Sequence, residues 1–409
     1  VAFSSKKLTA IGAAAVLALG VSACSSSTDE NKIVVWHYYS LDNQVEMLNG
    51  FEKTFEAANE GVNVENVYIP QDQLNSKLIG AVGTSTGPDV VIFDGYSATS
   101  LAASGALAPL DDYVSEFADA GQISEGAWAK LEDKTYSVQS YVNTLGLYYN
   151  KSILDEVGAK VPTNQAELEE ALALVSAAGY EGLSFAGQPD LQGAFQANPW
   201  LTSAGFSYES PNVDSLTKAL TLARNWVEKG YVSAEVAAWD QNTPFSKFML
   251  GKTAFAENGN WQLATLASDA EFEYGIVPMP FGQGTKIYLG GEAEGIASTS
   301  KNKDLAWKYL EETFLSKEGQ LQALDLVGSI PTRADAASED AVAKDPYLNQ
   351  FSTAIADQGT PFPDSVIPPK NTETVYAEAG TMWSLALSGQ AEPAKAAAEF
   401  VTKLDTLLK

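Results

Sequence analysis

The sequence predicts an α/β protein of two lobes, and three observations carry that expectation. Short apolar runs alternate with segments of helical periodicity, the order that builds a largely parallel sheet. Roughly 385 residues follow an amino-terminal leader, more than one hydrophobic core usually serves. The chain has a single cysteine, so no disulfide braces the monomer and its stability must come from packing.

Taken in order, residues 32–38 (KIVVWHY) read as a buried strand. The segment after it sets Val45, Leu48, Phe51 or Glu52, and Phe55 at helical spacing. VNVENVYI, from Val62, alternates apolar and polar as a second strand. A helix follows with Leu74, Leu78, Ile79 and Val82 on one face and Gly83 as its stop. VVIF, from Val90, is a continuous apolar run and fits a buried parallel strand. LGLYYN, from Leu145, begins a second alternating stretch, and Pro162 and Thr163 open a helix lined by Leu168, Leu172 and Val175. Further helices are expected over DSLTKALTLARNWVEKG, FSKFMLGK and KDLAWKYLEETFLS, and over 373–409 apart from a break at SGQAEP. Composition shifts nowhere sharply enough to mark a linker.

The amino end reads as an export signal: Lys6 and Lys7, an apolar run over 8–21, then small residues up to Cys24. That run is shorter than the ~20 apolar residues a membrane-spanning helix needs. Val21-Ser22-Ala23-Cys24 resembles the bacterial lipobox, which implies lipid on Cys24, removal of residues 1–23 and a polar tether over 24–31. The alternative is a signal peptide that ends near an unpaired buried cysteine. The formal charge is −27, and because the leader holds two lysines and no acids, the mature chain would carry −29. So acidic a surface repels phosphate backbones and anionic lipid, which argues against nucleic-acid binding and against membrane attachment by charge. It suits a neutral or cationic ligand, although charge that merely maintains solubility would look the same.

Nine segments in order carry a resemblance: IVVWHYY, GTSTGPDVVIFD, GLYYNKSIL, PTNQAEL, GKTAFAENGNW, YGIVPMPFG, GGEAEGIASTSKN, GSIPTR and LALSGQAEPAKAAAEF. Together they resemble the family 1 extracellular solute-binding proteins, the group that includes maltose-binding protein and many oligosaccharide-binding lipoproteins. The resemblance spans nearly the whole mature chain. It implies a periplasmic-binding-protein-like fold, with a ligand cleft between two discontinuous α/β lobes joined by hinge crossings. It places those crossings near Asn143, over 282–291 and over 333–337. The lobes implied are 32–143 plus 289–337, and 144–288 plus 338–409. The function implied is capture of an oligosaccharide for an ABC transporter permease, by a monomer on the outer face of the cytoplasmic membrane held there by its lipid alone.

Sugars offer polar edges and apolar C–H faces, so their sites combine flat aromatics with amides or carboxylates. The resemblance singles out Trp261, in NGNW, as a ring against a sugar face, with a core role as the alternative. It singles out Trp239 and Asp240 before the FSKFMLGK helix, and more loosely Phe195 and Tyr376 as aromatics of the second lobe. Asp94 and Tyr96 follow the VVIF strand, and ligands of open parallel sheets sit beyond the carboxyl ends of strands. Asp-Gly turn chemistry is the alternative there. Tyr39 and Asp42 lie just past the first strand by the same logic, and Asp42 could equally serve the next helix as a cap. Asn143 falls at the first crossing. Gly291 and Glu292 fall at the second, where a bare glycine lets a ligand approach the backbone. Several of these positions depart from maltose-binding protein, so maltodextrin specificity does not carry over.

Enzyme chemistry finds little support. The one histidine, His37, lies in an apolar strand, and no G-x-S-x-G element surrounds a serine. Zinc ligands, an EF-hand loop and a phosphate loop are all missing from the sequence, and no cofactor or metal is expected. A glycoside hydrolase, whose paired carboxylates could come from any of 52 acids, stands as the alternative function. A ligandless adhesin or scaffold is a third class.

Overall fold

The computed structural model describes residues 31–409. The leader 1–23, the lipidation position Cys24 and nearly all of the tether 24–31 lie outside the described residues. In chain order the strands are β1 (Lys32–His37), β2 (Asn63–Tyr68), β3 (Val90–Asp94), β4 (Trp128–Leu131), β5 (Lys134–Val138), β6 (Tyr141–Val142) and β7 (Leu145–Asn150). There follow β8 (Glu181–Ser184), β9 (Thr253–Gly259), β10 (Tyr274–Val277), β11 (Ile287–Leu289), β12 (Glu292–Ile296), β13 (Ile330–Pro331) and β14 (Gly359–Pro361).

One lobe is built on a six-stranded sheet in the order β2-β1-β3-β12-β5-β4, and the other on a four-stranded sheet in the order β10-β7-β9-β8. The first sheet is mixed. β3 runs parallel to β1, as its apolar run suggests, but antiparallel to β12. β12 enters the sheet from the second lobe, so it cannot share the direction set by the β-α-β units before it. Along β3, Val90 and Ile92 join one buried cluster and Val91 and Phe93 another on the opposite face. A strand covered on both sides has no polar alternation to show, hence VVIF.

The first helix, Asp42–Ala58, buries Met47, Leu48, Phe51 and Phe55, while Val45 is 37% exposed. The next, Gln71–Ala81, buries Leu74 and Leu78 and leaves Ile79 and Val82 largely to solvent. Both stripes are therefore narrower than the periodicity suggests, because each helix lies on the sheet along one line. The second lobe centres on Phe185, Trp200, Trp226 and Trp383, all fully buried. Burial of side chains this large contributes on the order of 2–3 kcal/mol each. No helix among the described residues is long and apolar enough to cross a membrane.

Between the lobes the chain is held by short pairings. β6 pairs with β13, and Asn143 exchanges backbone hydrogen bonds with Gly290 at 2.9 and 2.8 Å. Thr144 N donates to Asn260 Oδ1 at 2.8 Å, and its hydroxyl donates to the Tyr288 carbonyl at 2.9 Å.

Candidate functional site

A cavity of about 510 Å³ opens where β1, β2 and β3 end and faces the start of the helix Leu191–Ser203. That size falls within the range of small-molecule sites. Its first wall comes from the six-stranded lobe and includes Tyr38, Gln44, Tyr68, Gln71, Asn75, Asp94 and Tyr96. The second wall comes from the other lobe and includes Gln188, Asp190, Gln192, Phe195, Asp240, Gln241 and Phe362. Asn143, Trp261, Gly290, Gly291 and Glu292 contribute from the segments that join the two.

Hydrogen bonds order these groups across the cleft. Tyr38 Oη donates to Asp94 Oδ1 at 3.1 Å and Gln71 Nε2 donates to Asp94 Oδ2 at 2.5 Å. Gln192 Nε2 then donates to Gln71 Oε1 at 3.0 Å, and the backbone N–H of Gln241 donates to Gln192 Oε1 at 2.9 Å. This relay of amides runs from one lobe to the other. Asn260 Nδ2 donates to Asn143 Oδ1 and Asn143 Nδ2 to Glu292 Oε2, both at 3.0 Å. Asp190 caps the helix Leu191–Ser203 by accepting from the backbone N–H groups of Gln192 and Gly193, which fixes that helix start against the cavity.

Burial raises the Asp94 carboxyl to about 6, opposed by its bonds from Gln71 and Tyr38. Glu292 rises to about 7, first by burial and then through the charge of Asp94. Removal from water favours the neutral acid, and the amide donors only partly offset it.

Aromatic faces complete the site. Trp261 is half-buried and packs against the cores of both lobes, with its ring 6.4 Å from that of Phe195. Phe362 lies 5.4 Å from Phe195 and stacks at 5.2 Å on Tyr96, which reaches over from the other lobe.

Of the residues singled out in the sequence, Asp94, Tyr96, Asn143, Phe195, Asp240, Trp261, Gly291 and Glu292 are brought together around this cavity. Four are not. Tyr39, just past the end of β1, turns to the opposite side from Tyr38 and is buried in the core. Asp42 is exposed in the first turn of its helix, where its charge complements the helix dipole. Trp239 is buried, with the Lys247 ammonium 4.7 Å from its ring centroid, and its carbonyl holds the backbone of Gly187 and Gln188. Tyr376 packs behind Phe362 at 4.9 Å, its Oη accepting from the backbone N–H of Asp364.

Tyr38, Gln71, Gln188, Asp190, Gln192 and Phe362 line the cavity without having been read from the sequence. Gln71 and the 188–192 segment follow strands β2 and β8, so the strand-end rule that finds Asp94 would have reached them too. Phe362 lies far along the chain in a short irregular segment and gives no local signal.

The cavity offers hydroxyl-sized hydrogen-bonding groups and flat apolar faces from both sides of a cleft. A maltotriose-binding protein of Pyrococcus abyssi is 25% identical over 342 residues, covering 79% of this chain and 71% of that protein. A binding protein of Brucella abortus is 25% identical over 376 residues, 88% of this chain and 89% of it. The GacH receptor of Streptomyces glaucescens, solved unliganded and with acarbose, superposes with a TM-score of 0.82 at 25% identity, covering 92% of this chain and 98% of that one. The first two are named as binding proteins and the third as a receptor. The model describing the bacterial extracellular solute-binding proteins matches residues 52–350, and with the two-lobed fold and its cleft this places the chain in that family.

Proposed function

We propose that the protein captures an oligosaccharide in the cleft between its lobes and delivers it to the permease of an ABC transporter. The observation that carries this reading is the pairing of aromatic faces with amide and carboxylate groups on both walls of one cavity. Relatives named for maltotriose and for multiple sugars, the latter from Streptococcus mutans, support the ligand class. We take the lobes as 32–143 plus 289–337 and 144–288 plus 338–409. The sheet memberships of β12 and of β7 to β10 support that division.

The Val21-Ser22-Ala23-Cys24 motif supports anchoring by lipid on Cys24 at the outer face of the cytoplasmic membrane. Two acyl chains suffice for stable anchoring without help from surface charge. Mass spectrometry of native protein finding an unmodified Cys24 overturns the anchor.

Binding is tested by titrating the mature protein with a glycan panel that includes maltotriose, read by calorimetry and by product analysis. Saturable heat with unchanged sugar is expected, and turnover would restore the hydrolase. Trp261→Ala is expected to weaken sugar binding by about 1–3 kcal/mol, the scale of one buried aromatic contact. If that variant unfolds while its folded fraction binds normally, Trp261 serves only the core.

A further inference from the structure

The charges of the cleft are one-sided. Asp72, Asp94, Asp190, Asp240 and Glu292 line the cavity, and among the described residues no lysine, arginine or histidine does. Three of these acids have structural employment. Asp190 caps its helix and accepts from Gln188 Nε2 at 2.7 Å, Asp240 accepts from the backbone N–H and hydroxyl of Thr243, and Asp72 stands in the first turn of its helix.

Asp94 and Glu292 differ. They are register partners on β3 and β12, so their side chains leave adjacent strands at the same level. Their donors are Tyr38, Gln71 and Asn143, all neutral. Neither enters an ion pair among the described residues. Two carboxylates side by side, Glu292 buried and Asp94 half-buried, repel each other and lack the cation that would offset their partial desolvation. Aromatic rings of the same cavity, Tyr38, Phe195 and Trp261, add faces that attract a cation.

We propose that the cleft selects its saccharide by charge: it takes a ligand bearing a protonated amine in preference to the neutral sugar of the same size, and excludes one bearing a carboxylate or phosphate. This rests on the oligosaccharide reading and narrows it. A hydroxyl donates one hydrogen bond to a carboxylate, whereas an ammonium donates up to three and supplies the missing charge. An anionic sugar would bring a further negative charge against Asp94 and Glu292 at short range.

The test titrates the mature protein near pH 7.5 with maltotriose and cellotriose, and with derivatives of each in which one hydroxymethyl or ring hydroxyl becomes an amine, or the hydroxymethyl a carboxylate. In a series that binds, one amino derivative is expected to bind at least ten times tighter than its parent, and the carboxylate derivative not detectably. Glu292→Gln and Asp94→Asn, each checked for folding by circular dichroism, are expected to erase that gain, so that each variant binds the amino derivative and its parent within threefold of one another. If a parent sugar binds and none of its amino derivatives binds more tightly, charge selection is wrong and the oligosaccharide reading stands. If the gain survives both variants, the amine is held elsewhere and this assignment falls. If no member of either series binds, both readings fall together.

Discussion

Glu257 is a carboxyl group with no access to water, set on β9 in the core of the second lobe. Its Oε2 accepts from Trp200 Nε1 at 2.9 Å, while its Oε1 has no hydrogen-bond partner among the described residues. Burial raises it from 4.5 to about 8, only partly opposed by the tryptophan. The folded protein thus keeps a proton that the unfolded chain gives up once the pH passes 4.5. Stability falls as pH rises from about 4.5 to about 8 and levels off above that. Glu257→Gln keeps the shape of the neutral acid and removes the titration. It is expected to match the parent near pH 5 and to exceed it by up to about 3 kcal/mol at pH 7, as read by urea unfolding at both pH values. Identical pH dependence in the two proteins would show that Glu257 does not titrate in this window. At this scale the sequence is legible where chemistry and position coincide, as at Asp94 and Glu292. It is ambiguous where both faces of a strand are apolar or aromatic. In KIVVWHYY, Tyr38 reaches the cleft and its neighbour Tyr39 the core, and only the alternation of side chains carried on past the end of β1 separates them.

Among the elements, the helix Leu191–Ser203 matters most to the cleft, since its first turns carry Gln192 and Phe195. The helix Thr372–Leu387 packs across it, and at Gly380 a methyl group would overlap the carbonyl of Asp190, the capping residue itself. Gly380→Ala is expected to cost about 1–3 kcal/mol of stability, the range for overpacking a close contact, and to weaken ligand binding by displacing Gln192 and Phe195. Gly389→Ala, at positive φ past the end of the same helix and away from the cavity, is the control. It is expected to lower stability without changing affinity in the folded protein, which calorimetry on both variants checks. Unchanged affinity in Gly380→Ala would mean that the helix start does not set the site. The elements themselves were largely legible. Apolar spacing located the helices at Asp42–Ala58, Gln165–Ala177 and Val213–Glu228, because each buries a single stripe. The antiparallel entry of β12 was not, since its direction is decided against β3, far earlier in the chain, where Glu292 pairs with Asp94; the β4–β5 hairpin also went unread, although its two strands are neighbours in the chain.

Across the whole molecule, direct contacts join the two lobes beside the cleft. Tyr96 stacks on Phe362, Gln192 binds Gln71, and Asn75 Nδ2 donates to Glu373 Oε1 at 2.7 Å. A ligand that touches both walls adds its own contacts to these only when the lobes are together, so its binding must shift the population toward closure. Because it binds the folded state alone, a sugar at about 100 times its dissociation constant is expected to add roughly 2.7 kcal/mol to stability, measurable as a rise in melting temperature. Small-angle scattering through the same titration should show the radius of gyration falling at the concentrations that raise the melting temperature. Tyr96→Ala removes the aromatic bridge, so more of the free energy of binding goes into bringing the lobes together. Its affinity is expected to fall and its fractional compaction on binding to grow. Should a sugar stabilise the protein while the scattering curve stays fixed in both proteins, the lobes do not move on binding. The direct contacts would then hold the cleft shut, and closure would not be the signal the permease reads.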